Sequence, residues 1–132
     1  MMFPFSDAAV LYLSLGEDGN GILSYRKIPL TGLRITQTLS VPAEGDRADH
    51  ARAVLYLPER ALPTGFVLVP PEDFSASSAE NVYTLRPGDF FLPGKGSDAP
   101  DTPPSSAYRI TEITECRAGL ARLHHRKVVG LR

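Results

Sequence analysis

The chain has no tryptophan, one cysteine and three histidines. With Cys116 alone, an intramolecular disulfide is excluded, and nothing implies an oxidising compartment. One cysteine and three histidines are also too few for a structural zinc site of the usual kind. The N-terminal stretch MMFPFSDAAVLYLSLG lacks a basic n-region, and its apolar run is too short to span a bilayer. The chain therefore reads as soluble, without a membrane partner, and made in the cytoplasm. Sustained 3.6-residue apolar periodicity is missing as well, which argues against major helices. A formal net charge of −1 leaves no strong global field toward nucleic acid or anionic membranes.

What is present is turn chemistry and short apolar runs. Twelve prolines and eleven glycines in 132 residues demand many turns, while 42% hydrophobic residues are enough for a globular core. The length suits one domain, 1–132. The densest stretch is Asn81 to Gly94, NVYTLRPGDFFLPG. Its runs Val82–Leu85 and Phe90–Leu92 read as strands separated by Pro87-Gly88 and closed by Pro93-Gly94. Proline presets one turn position and glycine accepts the next without steric cost. Asp89 stands where a side chain can bond back to a turn amide.

Residues 1–8 read as a loose arm. Ala9–Leu15 is predicted as a strand with Leu11, Leu13 and Leu15 on one face, followed across GEDGNG by a strand Ile22–Leu30. Leu33–Leu39 alternates as a half-buried strand, with Gln37 the polar exception on its core face. Ser40–Asp49 reads as an exposed loop. Ala51–Leu57 carries four contiguous apolar residues, Val54 to Leu57, as a central strand or subunit contact would. Gly65–Val69 is a further short strand, and PPEDFSASS has room for one helical turn. Tyr108 and Ile110 share a face but Ile113 does not, so a bulge is predicted near Thr111 or Glu112. Leu120–Leu131 is the last strand, with Leu123, Val129 and Leu131 in phase. The fold class is all-β: a small antiparallel barrel or sandwich of about 7–9 strands, with long polar loops and at most one short helical turn.

Motifs that could carry chemistry reduce to structure one by one. Asp18-Gly19-Asn20-Gly21 resembles the start of a calcium loop but lacks the later ligands. His124 and His125 are adjacent on a strand and point to opposite faces, so they cannot readily share an ion. Lys95 and Ser97 follow a Pro-Gly-Asp turn as in Ser-Lys peptidases, yet the nucleophile segment is missing and Lys95 lies between glycines. Pairs among Glu72, Asp73, Asp89 and Glu112 have no spacing that singles out glycoside hydrolysis. No catalytic residue, metal ligand or cofactor is therefore assigned.

Two segments stand out as contact regions. Gly94–Ala107, GKGSDAPDTPPSSA, is a long flexible loop without an apolar run, and loops of that length are often functional. Lys95, Ser97, Asp98 and Asp101 are its candidate channel or partner residues. From Cys116 onward the chain carries basic residues and no acids, which makes Arg117, Arg122, His124, Arg126 and Lys127 a candidate basic partner face. The alternative is a strand edge guarded by positive charge. With Tyr108 and Arg109 the same strands also suit a barrel of the oligonucleotide-binding type.

The ordered set LYLSL, SYRKIPLTGL with Arg26 and Gly32, ARAVLYLP, YTLRPGDFFLPG, YRITEITE and GLARLHHRKVVG resembles a family of small prophage proteins. They belong to the head–tail morphogenesis module of long-tailed phages. The likeness spans about nine tenths of the chain. It departs after Gly32, where members typically carry a tryptophan and this chain has Leu33, Arg34 and Ile35. The resemblance implies a non-enzymatic head-closure or connector protein, a small β-barrel forming a homo-oligomeric ring between portal-adaptor and tail proteins. Ring contacts often form only on the assembled platform, so an isolated subunit can be monomeric. It further implies non-specific contact with packaged DNA, residence in the host cytoplasm during assembly, and then in the virion. Other expected roles are a tail-completion or minor capsid protein, or a β-barrel binding module for nucleic acid or sugar.

Overall fold

The computed structural model describes residues 7–40, 50–58, 66–94, 99–116 and 125–132. Strands are β1 (Asp7–Glu17), β2 (Leu23–Ser40), β3 (His50–Pro58), β4 (Val67–Leu68), β5 (Val82–Tyr83), β6 (Phe90–Pro93), β7 (Tyr108–Cys116) and β8 (His125–Leu131), with a single 3₁₀ turn at Pro71–Asp73. Six of them close into an antiparallel barrel in the order β1-β2-β3-β8-β7-β6, and β4 and β5 form a separate parallel pair. The all-β reading holds, with the barrel rather than the sandwich. Closure gives each of the six strands a neighbour on both sides over part of its length.

Alternation along the strands fills the interior. Leu11 and Leu13 of β1, Ile28 and Leu30 of β2, Leu55 and Leu57 of β3, Phe91 of β6, Ile110 of β7 and Val128 of β8 belong to one core. Phe91 and Tyr108 stack at 5.4 Å between centroids, over Gly130. A Cβ at Gly130 would come within 2.6 Å of the Phe91 ring, so the stack requires glycine there.

Several expectations are revised. The two strands read as Ile22–Leu30 and Leu33–Leu39 are one strand of 18 residues. Its first part pairs with β1 and its second with β3, and the direction changes at Gly32. Gly32 has φ 71°, and the β1 register slips there, from Asp7↔Leu33 to Ala8↔Thr31. This is a glycine bulge, which bends a strand without ending it. Residues 7 and 8, read as part of a loose arm, are already in β1, and the Asp7 carboxylate accepts from the Ile35 amide at 2.8 Å. The bulge predicted on β7 is present, between Ile110 and Glu112, and Ile113 consequently packs against the core.

The phase of β8 is opposite to expectation. Val128, paired with Leu55, faces the core, whereas Val129 and Leu131 face outward, and Leu123 lies outside the described residues. The apolar pairing partner decides the phase of a strand that is apolar on both sides. Likewise Val82–Tyr83 and Phe90–Pro93 do not pair with each other. β5 pairs with β4, while β6 joins the barrel between β1 and β7.

Residues 66–85 cap one barrel end. Phe66, Leu68, Val69, Phe74, Tyr83 and Leu85 bury against the core from there. Arg26 holds the cap by donating to the carbonyls of Ser78 at 2.8 Å, Ala79 at 2.7 Å and Val82 at 3.1 Å.

Candidate interaction surfaces

The end cap contains the most elaborate polar cluster. Phe74 lies between two guanidinium groups, Arg26 at 5.3 Å and Arg86 at 5.1 Å from its ring centre. Arg86 donates to Asp89 Oδ2 at 2.6 Å and to the Ser14 carbonyl. Asp89 is buried, and its Oδ1 accepts from the Ser14 amide at 3.1 Å. The expected bond from Asp89 to a turn amide is thus replaced by one to a distant strand, because β6 docks beside β1. An open cleft of about 470 Å³ lies above this cluster, lined by Ser14, Phe74, Ser75, Arg86 and Gly88 among others. Arg86 and Asp89 are each occupied by the other and by backbone, so neither is free as an acid, base or anion clamp. Their role is to fix the Pro87-Gly88 turn to β1.

A smaller, more enclosed groove of about 370 Å³ is lined by Leu68, Pro71, Leu85 and Ile113, with the Glu115–Arg126 pair also lining it. Behind the cap, Tyr83 is fully buried and its hydroxyl has no hydrogen-bond partner among the described residues. Burial pushes its pKa up to about 12, opposed in part by the Arg126 charge.

Of the loop candidates, Lys95, Ser97 and Asp98 lie outside the described residues. Asp101 is 96% exposed at the side chain and pairs with Lys27 Nζ at 3.0 Å. Lys27 also donates to the Ala99 carbonyl at 3.1 Å, and the Tyr12 hydroxyl to the Pro100 carbonyl at 2.8 Å. The loop was expected to stand away from the barrel. Its described part, from Ala99, instead lies back on the outer face of β1 and β2. Tyr12, Tyr25 and Phe90 form an edge-to-face aromatic chain on that side of the sheet, at 6.3 and 6.4 Å. Tyr12 is completely buried although it points out of the barrel.

Of the basic candidates, Arg117, Arg122 and His124 lie outside the described residues. Arg126 and Lys127 are neighbours on β8 and therefore point to opposite sides. Arg126 turns toward the capped end, with Glu115 at 3.4 Å, and Lys127 turns outward. The two described members of the expected basic face thus lie on opposite sides of the strand.

Register, however, assembles a different cationic face. Tyr56 on β3 is paired with Arg34 of β2 on one side and Lys127 of β8 on the other. Four residues earlier, Arg52 pairs with Leu131, which pairs in turn with Arg109 of β7. Val54 and Val129 lie between these rows, each 6% exposed beneath the longer chains. Arg34 sits 6.0 Å over the Tyr56 ring, and His125 packs on that ring at 6.1 Å. None of Arg34, Arg52, Arg109 and Lys127 has an ion pair among the described residues. Glu112 is the acid of this face. Arg109 and Lys127 are among the basic residues read from the sequence, whereas Arg34 and Arg52 escaped it because they lie on β2 and β3, far from these two in the chain; outward alternation around Leu55 and Leu57 was the available signal.

Among the described residues no three His, Cys, Asp or Glu side chains converge as a metal site. Comparison with protein-family models, with curated proteins and with solved structures gave no match to this chain.

Proposed function

We propose that this protein is a non-enzymatic structural component of a phage head–tail junction, assembling as a ring between the portal-adaptor complex and the tail. The observation that carries the reading is the β1–β2 hairpin. Beyond Tyr12, β1 leaves β6, and the hairpin continues to Glu17↔Leu23. Its tip exposes Ile22 at 61% and Leu23 at 46%. The tip is rigid, since Asp18 Oδ1 accepts from the amides of Asn20 at 2.7 Å and Ile22 at 3.0 Å. A stiff lever with an apolar end suits insertion into a neighbouring subunit, where burying an aliphatic side chain is worth roughly 1.5–3 kcal/mol. The order of strand motifs, which resembles that of prophage neck proteins, supports the same reading, as does a barrel interior filled by side chains.

The test is particle assembly with Ile22→Asp/Leu23→Asp, in a chain whose fold is verified by circular dichroism. Electron microscopy is expected to show tailless heads beside free tails. Normally tailed, infectious particles would refute the proposal.

A further inference from the structure

We propose that the outer face of β2, β3, β8 and β7 binds the phosphate backbone of duplex DNA. The inference deepens the neck reading, which implies non-specific contact with packaged DNA, by assigning that contact to one face; duplex binding by the isolated chain is measured apart from particle assembly, so either can fail alone. It rests on the arrangement of Arg34, Lys127, Arg52 and Arg109, which occupy two rows across the sheet. Arg34 and Lys127 flank Tyr56, so they stand two strand spacings apart, roughly 10 Å. Arg52 and Arg109 flank Leu131 at the same separation. The rows are four residues apart along β3, which is about 13 Å at the rise of an extended strand. The major groove of B-DNA is about 12 Å wide. Two rows of cations at this distance match the phosphates on its two rims, with Val54, Val129 and Glu112 in the row between them.

Charge segregation points the same way. The chain has a net charge of −1, yet among the described residues this face carries four cations without an ion pair, against Glu112. The acids of the cap, Glu72, Asp73 and Glu80, are exposed at the barrel end. At moderate salt, charges more than about 10 Å away are largely screened, so the local face governs the approach of a polyanion. The four cations are spaced for phosphates rather than base edges, and binding is expected to be independent of sequence.

The experiment is fluorescence anisotropy with a short random-sequence duplex across a potassium chloride series. Four phosphate contacts give a slope of log K against log salt of about −3.6, or on the order of 100-fold weakening between about 50 and 200 mM salt. Arg52→Glu/Arg109→Glu, on the exposed outer face, is expected to halve that slope and to weaken low-salt binding at least about tenfold. Lys27→Glu, on the strapped face, is expected to leave both unchanged. A single strand of the same length offers one phosphate row and is expected to give a slope nearer −1.4. Absence of duplex binding at low salt, equal loss in Lys27→Glu, or preferential binding of polyglutamate over duplex would each overturn the proposal. Circular dichroism on every variant separates lost contacts from lost fold.

Discussion

Asp89 shows how one buried carboxylate can join distant parts of a chain. It accepts from the Ser14 amide, 75 positions away in sequence, and from Arg86 within its own turn. Removing it leaves an uncompensated guanidinium and an unpaired amide, and breaking a buried pair typically costs about 3–5 kcal/mol. Arg86 keeps some contact with solvent, so Asp89→Ala is expected to destabilise by about 3 kcal/mol, measured by urea denaturation at neutral pH. A loss below about 1 kcal/mol would mean that the turn holds β6 without it. Tyr83 is the opposite case, a buried hydroxyl with no partner among the described residues. Tyr83→Phe removes a desolvated polar group and is expected to leave stability unchanged or slightly higher. Its ionisation adds a pH signature. The folded-state pKa is near 12 against an ordinary value of 10.0, so its contribution is complete below pH 10. As pH rises from 10 toward 12 the unfolded chain ionises first, and stability falls. Urea titrations in that window are expected to show a shallower decline in Tyr83→Phe than in the wild type; equal slopes would place the alkaline loss elsewhere.

At the scale of elements, the 99–107 segment behaves as a strap. Its anchors are the Tyr12–Pro100 bond, the Lys27–Ala99 bond and the Lys27–Asp101 pair. The ion pair is exposed, and such pairs contribute about 0–1 kcal/mol. Tyr12→Phe/Asp101→Asn is therefore expected to lower global stability by about 1–2 kcal/mol, combining one ordinary hydrogen bond with one surface pair. The local effect is expected to be larger: amide exchange across 101–107 should accelerate about tenfold or more, the amount corresponding to roughly 1.4 kcal/mol of opening energy. Unchanged exchange in that segment would show that packing around Tyr12, rather than these bonds, holds the strap. The β1–β2 hairpin is built differently. Asp18 serves its backbone, so the apolar tip is presented at a fixed angle, as the assembly role requires.

For the whole molecule, topology sets the behaviour. The barrel closes where Ala9 meets Pro93 and Tyr12 meets Phe90, pairs separated by most of the chain. Loop-closure entropy is lost before these contacts form. Barrels dominated by such pairings fold in milliseconds to seconds. Refolding after dilution from urea, followed by tyrosine fluorescence since the chain has no tryptophan, is expected on that timescale. A microsecond relaxation to the native signal would show that local hairpins, and not closure, limit the rate.

Alternation, turn chemistry and composition determined the all-β class, the positions of β1, β3 and β6, the 3₁₀ turn after Pro70 and the bulge on β7. Each of these follows from neighbours in the chain: Ile110 and Ile113 cannot both face inward without an extra residue between them. The inward face of β8 was not legible, because Val128 and Val129 are equally apolar and only pairing with Leu55 chooses between them. Nor could the chain alone show that Gly32 bends one strand rather than separating two, since φ 71° suits either a turn or a bulge. The cationic face combines Arg109 and Lys127, legible in the sequence as basic residues of the last two strands, with Arg34 and Arg52, which only the tertiary structure brings beside them. Arg34, Arg52, Arg109 and Lys127 come from four strands, and cross-strand register alone brings such residues onto one surface.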